Sequence, residues 1–240
     1  GEDVHKGELV LPAGRRLLPQ DLGFLAMLGV PRVRVHRRPR VGIFSSGDEL
    51  LPVSEPLVAG KIHDSNSYML AALVHKFGGE ALDLGVARDE AGDVQQRLDA
   101  AIAQDVDLIL SSAGVSVGAF DYVRGVVEEH GQLSFWRVNM RPGKPLAFGD
   151  YRGTAFIGLP GNPVSAFVGF EVFVRDAVLC MSGVQTGKRR LYTARLLEEL
   201  HSDGRESYLR AIVDQTPHGR VARLTGHQGS GNLRSLVSAN

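Results

Sequence analysis

The middle of the chain reads Val106-Asp107-Leu108-Ile109-Leu110-Ser111-Ser112-Ala113-Gly114-Val115-Ser116-Val117-Gly118-Ala119-Phe120-Asp121. Its first five residues have the apolar pattern of a buried strand, and a helical pattern runs from Asp121 to Glu129. A loop of small residues between a strand end and a helix is where α/β proteins bind anions. A carboxylate at the end of such a loop suits a metal ion. The stretch therefore predicts an α/β fold with an anionic, metal-assisted substrate.

Composition excludes several classes of protein. The 240 residues hold 27 Lys plus Arg and 27 Asp plus Glu, so the formal net charge is zero and broad nucleic-acid binding is not expected. The single cysteine, Cys180, allows no intrachain disulfide and no Cys/His zinc site. Because no apolar run reaches about 18 residues and no secretory segment opens the chain, we expect no membrane partner and a cytoplasmic location.

The pattern of elements divides the chain into three parts. Residues 40–183 alternate strand and helix, which predicts a three-layer, mainly parallel sheet with its site at the carboxyl ends of the strands. Residues 184–240 contain short strand patterns separated by turns, which indicates a small β domain with a boundary near residues 185–188. Residues 1–39, with short strands predicted at 7–14 and 33–36 and a helix at 19–28, look like part of a domain or arm.

Polar loops follow the predicted strands, and each has a plain structural interpretation beside a functional one. They are Ser45-Ser46-Gly47-Asp48-Glu49-Leu50, Asp64-Ser65-Asn66-Ser67, Arg88-Asp89-Glu90 and the loop from Ser111 to Asp121 described above. In this last loop Ser112 and Ser116 could hold phosphate, and Asp121 could bind a Mg²⁺ ion. The alternatives are a simple turn, an N-cap, a solvated helix start and a tight connection capped by Asp121.

A fifth loop is basic. It runs from Trp136 to Pro145 and carries three cations, Arg137, Arg141 and Lys144. Arginine can bind an oxyanion through two parallel hydrogen bonds, whereas lysine acts as a point charge. The alternative to an anion-binding loop is a basic turn that is only solvated. A further loop, Leu159-Pro160-Gly161-Asn162-Pro163, opens a long predicted helix. Acids and bases at one sheet edge favour group transfer on an oxyanion with Mg²⁺.

At these residues the chain resembles the molybdopterin molybdenumtransferase family, which includes the bacterial MoeA proteins and the gephyrin E domain. The resemblance extends over essentially the whole chain, and family members are normally longer at the N-terminus. The matching motifs are Ser46-Gly47-Asp48-Glu49-Leu50, Asp64-Ser65-Asn66, Gly114-Val115-Ser116-Val117-Gly118 with Asp121-Tyr122, Arg141-Pro142-Gly143-Lys144-Pro145, Gly158-Leu159-Pro160-Gly161-Asn162-Pro163-Val164-Ser165 and Gly229-Ser230-Gly231-Asn232-Leu233.

The resemblance implies a molybdopterin-binding domain at 40–183, a small C-terminal β-barrel at 184–240 and a remnant of a dimerisation region at 1–39. It implies insertion of molybdate into adenylylated molybdopterin with release of AMP, assisted by Mg²⁺. It also implies a homodimer, with the active site built across the dimer, and a molybdopterin adenylyltransferase as a possible partner.

Site residues are carried over by motif. The catalytic set is Glu49, Asp89, Asp121 and Lys144, with Asp121 and Glu49 as metal ligands. The substrate-binding set is Ser46, Gly47, Asp48, Asp64, Asn66, Ser112, Gly114, Ser116, Gly118, Arg137, Arg141, Pro142, Gly143, Gly161, Asn162 and Ser230, with Arg210 as a further candidate.

The chain departs from the family pattern at three positions. Arg137 and Arg141 stand where the family often has lysine, and Ala113 stands where glycine is common.

Two other functions stay open. A molybdopterin adenylyltransferase would share the sheet and the glycine–serine loop, but that family is a single small domain without counterparts of residues 1–39 and 184–240. A scaffold module of the gephyrin type would need an exposed apolar groove.

Overall fold

The computed structural model describes residues 3–113, 117–184 and 189–240. The α-helices are α1 (Pro19–Met27), α2 (Asn66–Lys76), α3 (Ala91–Ala103), α4 (Val117–His130), α5 (Pro163–Gly169), α6 (Arg175–Met181) and α7 (Leu233–Val237). The strands are β1 (Arg40–Ser46), β2 (Leu50–Leu51), β3 (Ile62–His63), β4 (Glu80–Ala87), β5 (Leu108–Ala113), β6 (Gly131–Arg137), β7 (Met140–Arg141), β8 (Pro145–Tyr151), β9 (Thr154–Pro160), β10 (Arg195–Leu196), β11 (Glu206–Ser207), β12 (Ala211–Thr216) and β13 (Gly219–Leu224).

A six-stranded sheet in the order β4-β1-β5-β9-β8-β6 forms the centre of the molecule. Strands β4, β1, β5 and β9 are parallel, and β8 runs antiparallel to both β9 and β6. Because β8 is reversed, its first residue, Pro145, lies at the edge where the other strands end. Pro145 pairs with Arg137 there, and Ala113 pairs with Ser46 and with Pro160. The mainly parallel α/β sheet predicted from the sequence is confirmed.

Helices cover both faces of this sheet, because neighbouring strand residues point to opposite sides. Phe44 and Ile109 pack with residues of α3 and α4 on one face. Ile43 and Leu110 pack with residues of α2, α5 and α6 on the other. All four of these side chains are buried. The sheet is therefore packed between two apolar layers, which fix the strand ends from which the edge loops leave.

Two helices differ from their predicted form. Helix α4 begins at Val117 rather than at Asp121, so Gly118 lies in its first turn in spite of a cost of about 1 kcal/mol relative to alanine, and Asp121 lies in its second turn and is not a cap. The long helix predicted from Pro163 to Met181 forms, but a π-helical turn at Phe170–Val174 separates α5 from α6.

The two ends of the chain were predicted less well. The strands expected at residues 7–14 and 33–36 do not form, and side chains there are exposed, with Leu9 at 79% and Val35 at 69%. Strands β10, β13 and β12 form a three-stranded sheet in that order. Strand β11 is not part of this sheet and pairs with β7 instead. Helix α7 was not predicted. Within the described ranges, no helix has the length and apolar character needed to cross a membrane.

Candidate functional site

The loops after β1 and β4 are joined at the carboxyl edge of the sheet. The Ser46 hydroxyl donates a hydrogen bond to Asp89 Oδ1 over 3.4 Å, and the Asp89 backbone N–H donates to Asp48 Oδ1 over 3.2 Å. The Glu49 carboxylate folds back over buried Gly47, where a Cβ atom would stand 2.7 Å from Glu49 Oε2. The absence of a side chain at Gly47 is therefore what lets Glu49 take this position.

These contacts concentrate negative charge. Partial burial raises the pKa of the Asp89 carboxyl, and the charges of Asp48 and Glu49 raise it further. Hydrogen bonds from Ser46 and from the backbone oppose the shift without cancelling it. A group of carboxylates held in this way is electrostatically prepared for a cation. In the part of the chain that the structure describes, however, no three acidic, histidine or cysteine side chains are grouped closely enough to hold a metal ion by themselves.

Asp64 and Asn66 hold the start of α2. Asp64 Oδ1 accepts hydrogen bonds from the backbone N–H groups of Asn66 (3.0 Å) and Ser67 (3.2 Å), which is an N-terminal capping arrangement. The Asn66 amide donates over 2.7 Å to Ser112 Oγ on β5 and over 2.7 Å to the carbonyl oxygen of Gly161. Asn66 Oδ1 is buried without a partner among the described residues. Asn66 thus ties together the loops of α2, β5 and β9.

The basic loop between β6 and β8 exposes its cations. Arg141 and Lys144 are exposed, and Arg141 Nη1 lies 3.5 Å from Asp203 Oδ2. The peptide bond between Arg141 and Pro142 is cis, and Gly143 has a φ of 106°, a left-handed conformation that favours glycine. The Arg137 backbone pairs with Pro145, while its side chain lies outside what the structure describes. The sheet therefore presents guanidinium and ammonium groups at the edge that also carries Glu49 and Asp89.

The C-terminal region reaches this edge. Asn162 Nδ2 donates to Ser230 Oγ over 2.9 Å, and the Val164 N–H donates to the Ser230 carbonyl over 3.0 Å. Arg210 is 3% exposed and its burial lowers the pKa of the guanidinium. Its Nε donates to Ser235 Oγ (2.9 Å) and its Nη2 to the Gly229 carbonyl (3.0 Å). Ser230 thus lies at the start of α5, and Arg210 stabilises the loop that carries it.

Residues 42–179 match the family described as probable molybdopterin binding domain. The chain belongs to this family. Residues 193–240 match a second family, described as the MoeA C-terminal region (domain IV). The resemblance noted from the sequence motifs is therefore confirmed.

Relatives and solved structures agree with that assignment. The chain is 37% identical to the molybdopterin molybdenumtransferase of Haemophilus influenzae, aligning 100% of this chain with 60% of that protein. It is 39% identical to the molybdopterin molybdenumtransferase of Nostoc, aligning 98% of this chain with 55% of that protein. A molybdopterin biosynthesis MoeA protein from Pyrococcus horikoshii matches the structure with a TM-score of 0.81 and 28% identity, covering 100% of this chain and 58% of that one. The chain thus spans somewhat more than half the length of these relatives.

The structure does not bring every predicted residue to the edge. Gly114 and Ser116 lie outside the described residues, as does the domain boundary near 185–188. Gly118 is in the first turn of α4, and Asp121 is an exposed residue of the second turn. Pro142, Gly161 and Asn162 are partly exposed at the edge.

Asp203 lies beside the basic loop and was not among the candidates from the sequence. Its contact with Arg141 joins residues 62 positions apart. The sequence around it offers only a turn pattern, Asp203-Gly204-Arg205. No local signal could have placed this carboxylate beside the basic loop.

Proposed function

We propose that this chain provides the active site of a molybdopterin molybdenumtransferase, which inserts molybdate into adenylylated molybdopterin and releases AMP. The observation that carries the proposal is the presence of an acidic group, Glu49 and Asp89, and a basic loop, Arg141 to Lys144, at one edge of one rigid sheet. Its membership of the molybdopterin-binding family supplies the class of substrate, and the names of its relatives supply the reaction.

The basic loop suits the anions of this reaction. Molybdate is an oxyanion of charge −2, and the bond between AMP and molybdopterin joins two phosphates. Arg141 offers a planar pair of N–H donors to such an oxyanion, and Lys144 offers a point charge beside it. We assign Arg137 to the same task, because its strand ends at the same edge. The hydroxyl of Ser112 and the loop at Gly114, Ser116 and Gly118 are proposed to bind phosphate.

The acidic group suits a divalent cation. Mg²⁺ commonly takes one or two carboxylates and completes its coordination with substrate phosphates and water, so a site of three protein ligands is not required. The pKa of the Asp89 carboxyl is raised first by burial and then by the charges of Asp48 and Glu49, so these carboxylates are close enough for their charges to interact. We propose Glu49 and Asp121 as ligands of the Mg²⁺ ion: Glu49 from the group that includes Asp89, and Asp121 from the second turn of α4, the helix that follows β5. A bound Mg²⁺ would neutralise charge on the phosphate that leaves with AMP.

Hydrogen bonds fix the loops of the proposed site relative to one another, through Asn66, Asn162 and Ser230. Asn66 fixes the β5 and β9 loops relative to α2. The hydrogen bond from Asn162 to Ser230 attaches the C-terminal region to the same edge. Ser46, Gly47, Asp48, Asp64, Pro142, Gly143 and Gly161 are assigned to the substrate pocket as parts of the same loops.

The proposal extends to the assembly of the protein. Residues 1–39 would belong to a dimerisation region, and residues 184–240 to a small β-barrel domain, in a cytoplasmic homodimer that receives its substrate from a molybdopterin adenylyltransferase. Exposed apolar side chains in the first part, including Leu9, Leu22 and Val35, support an interface there.

The test is release of AMP from adenylylated molybdopterin by this chain, measured by chromatography with and without molybdate and Mg²⁺. We expect AMP release to require both, and Arg141→Gln to lower it by about 10- to 100-fold through the loss of a charge-assisted hydrogen bond. Asp121→Asn should fold normally and lose the Mg²⁺-dependent release of AMP. Arg223→Gln, at an exposed arginine on β13, is the matched control. Substrate binding without AMP release would contradict the proposed activity of this chain.

A further inference from the structure

The segment from Asp203 to Tyr208 lies on the basic loop of the proposed site. Strand β11 pairs in parallel with β7, with Ser207 opposite Arg141. The Tyr208 N–H donates to the Arg141 carbonyl oxygen over 2.7 Å. These backbone contacts bring the Asp203 carboxylate to 3.5 Å from Arg141 Nη1. A carboxylate from the C-terminal region therefore faces the guanidinium that we assign to oxyanion binding.

Asp203 is shared between two arginines. Arg205 donates to Asp203 Oδ2 from Nε over 3.0 Å and from Nη2 at a closer approach, and its backbone N–H donates to Oδ1 over 3.2 Å. These hydrogen bonds, with a smaller contribution from Arg141, lower the pKa of Asp203 to about 2. The carboxylate is therefore ionised at neutral pH. Arg205 makes the stronger pairing and leaves Oδ2 within reach of Arg141.

We propose that Asp203 is a positioning residue for the oxyanion site: it holds the Arg141 guanidinium beside the β7–β11 pairing, and this contact is given up when Arg141 turns to an oxyanion. The inference rests on the proposed function, because it gives Arg141 an anionic ligand. A carboxylate and a molybdate or phosphate oxygen compete for the same N–H groups. Asp203 thereby lowers the affinity of the basic loop for oxyanions and reserves Arg141 for ligands of high charge.

The geometry makes this exchange of partners feasible. The side chains of Arg141 and Asp203 are 60% and 37% exposed, so water screens their attraction and the pair is weak. Arg205 retains the carboxylate after Arg141 turns to its ligand, so that no charge is left without a partner. Removing Arg205 would free Asp203 to pair fully with Arg141. Substitutions of Asp203 and Arg205 should consequently shift oxyanion affinity in opposite directions.

The experiment is calorimetric titration of the whole 240-residue chain with sodium molybdate at low ionic strength. We expect Asp203→Asn to tighten binding by about two- to five-fold, the range of a surface ion pair, and Arg205→Gln to weaken it by about two-fold. Neither change should alter affinity in an Arg141→Gln background. Asp214→Asn is the matched control, because Asp214 is an exposed acid that pairs with Arg223 at 3.8 Å elsewhere in the C-terminal sheet.

Salt separates this role from a purely structural one. At about 1 M salt the Debye length falls to about 3 Å, so the gain from Asp203→Asn should shrink toward zero, while a folding defect would persist. Circular dichroism of each variant confirms that it is folded.

The pattern of results across the variants separates the inference from the proposed function. If Arg141→Gln weakens molybdate binding but Asp203→Asn leaves it unchanged or weaker, the positioning role is refuted and the oxyanion site remains. If Arg141→Gln changes nothing, the oxyanion role of Arg141 is wrong and the inference falls with it. A gain from Asp203→Asn that persists without Arg141 would also refute the positioning role.

Discussion

Asn66 offers the sharpest test of how the site is held together. Its side chain is 8% exposed and links three segments, since its amide donates to Ser112 Oγ and to the Gly161 carbonyl, both over 2.7 Å. Asn66→Ala removes both donors and leaves the Gly161 oxygen without this partner. We expect the α/β sheet to survive, because the two apolar layers do not involve Asn66, but its carboxyl edge to loosen.

The size of the effect follows from the two hydrogen bonds. Each contributes about 1 kcal/mol to the free energy of unfolding, so Asn66→Ala should cost about 2 kcal/mol. With an unfolding entropy of about 2.1 cal/mol/K per residue over 240 residues, this corresponds to a fall in Tm of about 4 °C. Asn66→Asp should cost more, about 3 kcal/mol, because it places a carboxylate against the Gly161 carbonyl oxygen.

The measurements are urea unfolding by circular dichroism and titration with sodium molybdate. Gln96→Ala, an exposed polar-to-alanine change on α3, is the control and should stay within about 0.5 kcal/mol of the unchanged chain. Weaker molybdate binding should accompany the loss of stability in Asn66→Ala, because the Gly161 loop leads into Asn162. An Asn66→Ala variant as stable as the Gln96→Ala control would refute the reasoning that this amide fixes the edge.

Two further predictions concern the acidic group. Burial and the charges of Asp48 and Glu49 raise the pKa of Asp89, so the folded chain holds this proton more tightly than the unfolded chain. The free energy of unfolding should therefore fall as pH rises from the ordinary carboxyl range through the raised pKa, and Asp89→Asn should remove that fall. Urea midpoints of variant and parent that run parallel from pH 4 to pH 7 would contradict this prediction. Gly47→Ala should displace the Glu49 carboxylate, which stands 2.7 Å from the new Cβ, and so lower Mg²⁺-dependent AMP release. Because Gly47 has a φ of 156°, which residues with a side chain rarely adopt, the change should also lower the free energy of unfolding by about 1 to 3 kcal/mol. Gly92→Ala, where a Cβ meets nothing within 4 Å, is its control.

The sequence predicts the sheet well because burial leaves a strong local signal. The apolar run at residues 41–45 forms most of β1 (Arg40–Ser46), and the turn residues at 149–153 lie where β8 and β9 join as a hairpin. Both segments are apolar runs bounded by turn residues, so short stretches of sequence determine them. Strand order then follows from the parallel α/β pattern, and with it the edge that carries the polar loops.

What the sequence could not predict depends on distant contacts. Strand β11 has two residues and exists only because β7 pairs with it, so no local pattern distinguishes it from a loop. Asn66 follows an N-capping aspartate and was assigned to substrate, whereas its hydrogen bonds to Ser112 and Gly161 depend on three segments meeting. Helix α4 extends four residues beyond its predicted start, which moves Asp121 from the cap position to an exposed turn.

The proposed site belongs to two parts of the chain. The α/β sheet supplies Glu49, Asp89 and Arg141 on loops whose positions the buried core fixes. The C-terminal region supplies Ser230, held by Asn162, and Asp203, held beside Arg141 by the β7–β11 pairing. Tyr208 and Leu236 also pack against the apolar cluster of Met140, Val164 and Val168, so the C-terminal region docks through apolar as well as polar contacts, and only the polar ones lie among the groups proposed to bind an oxyanion. A change that loosens these polar contacts should therefore alter oxyanion affinity before it alters the stability of the sheet.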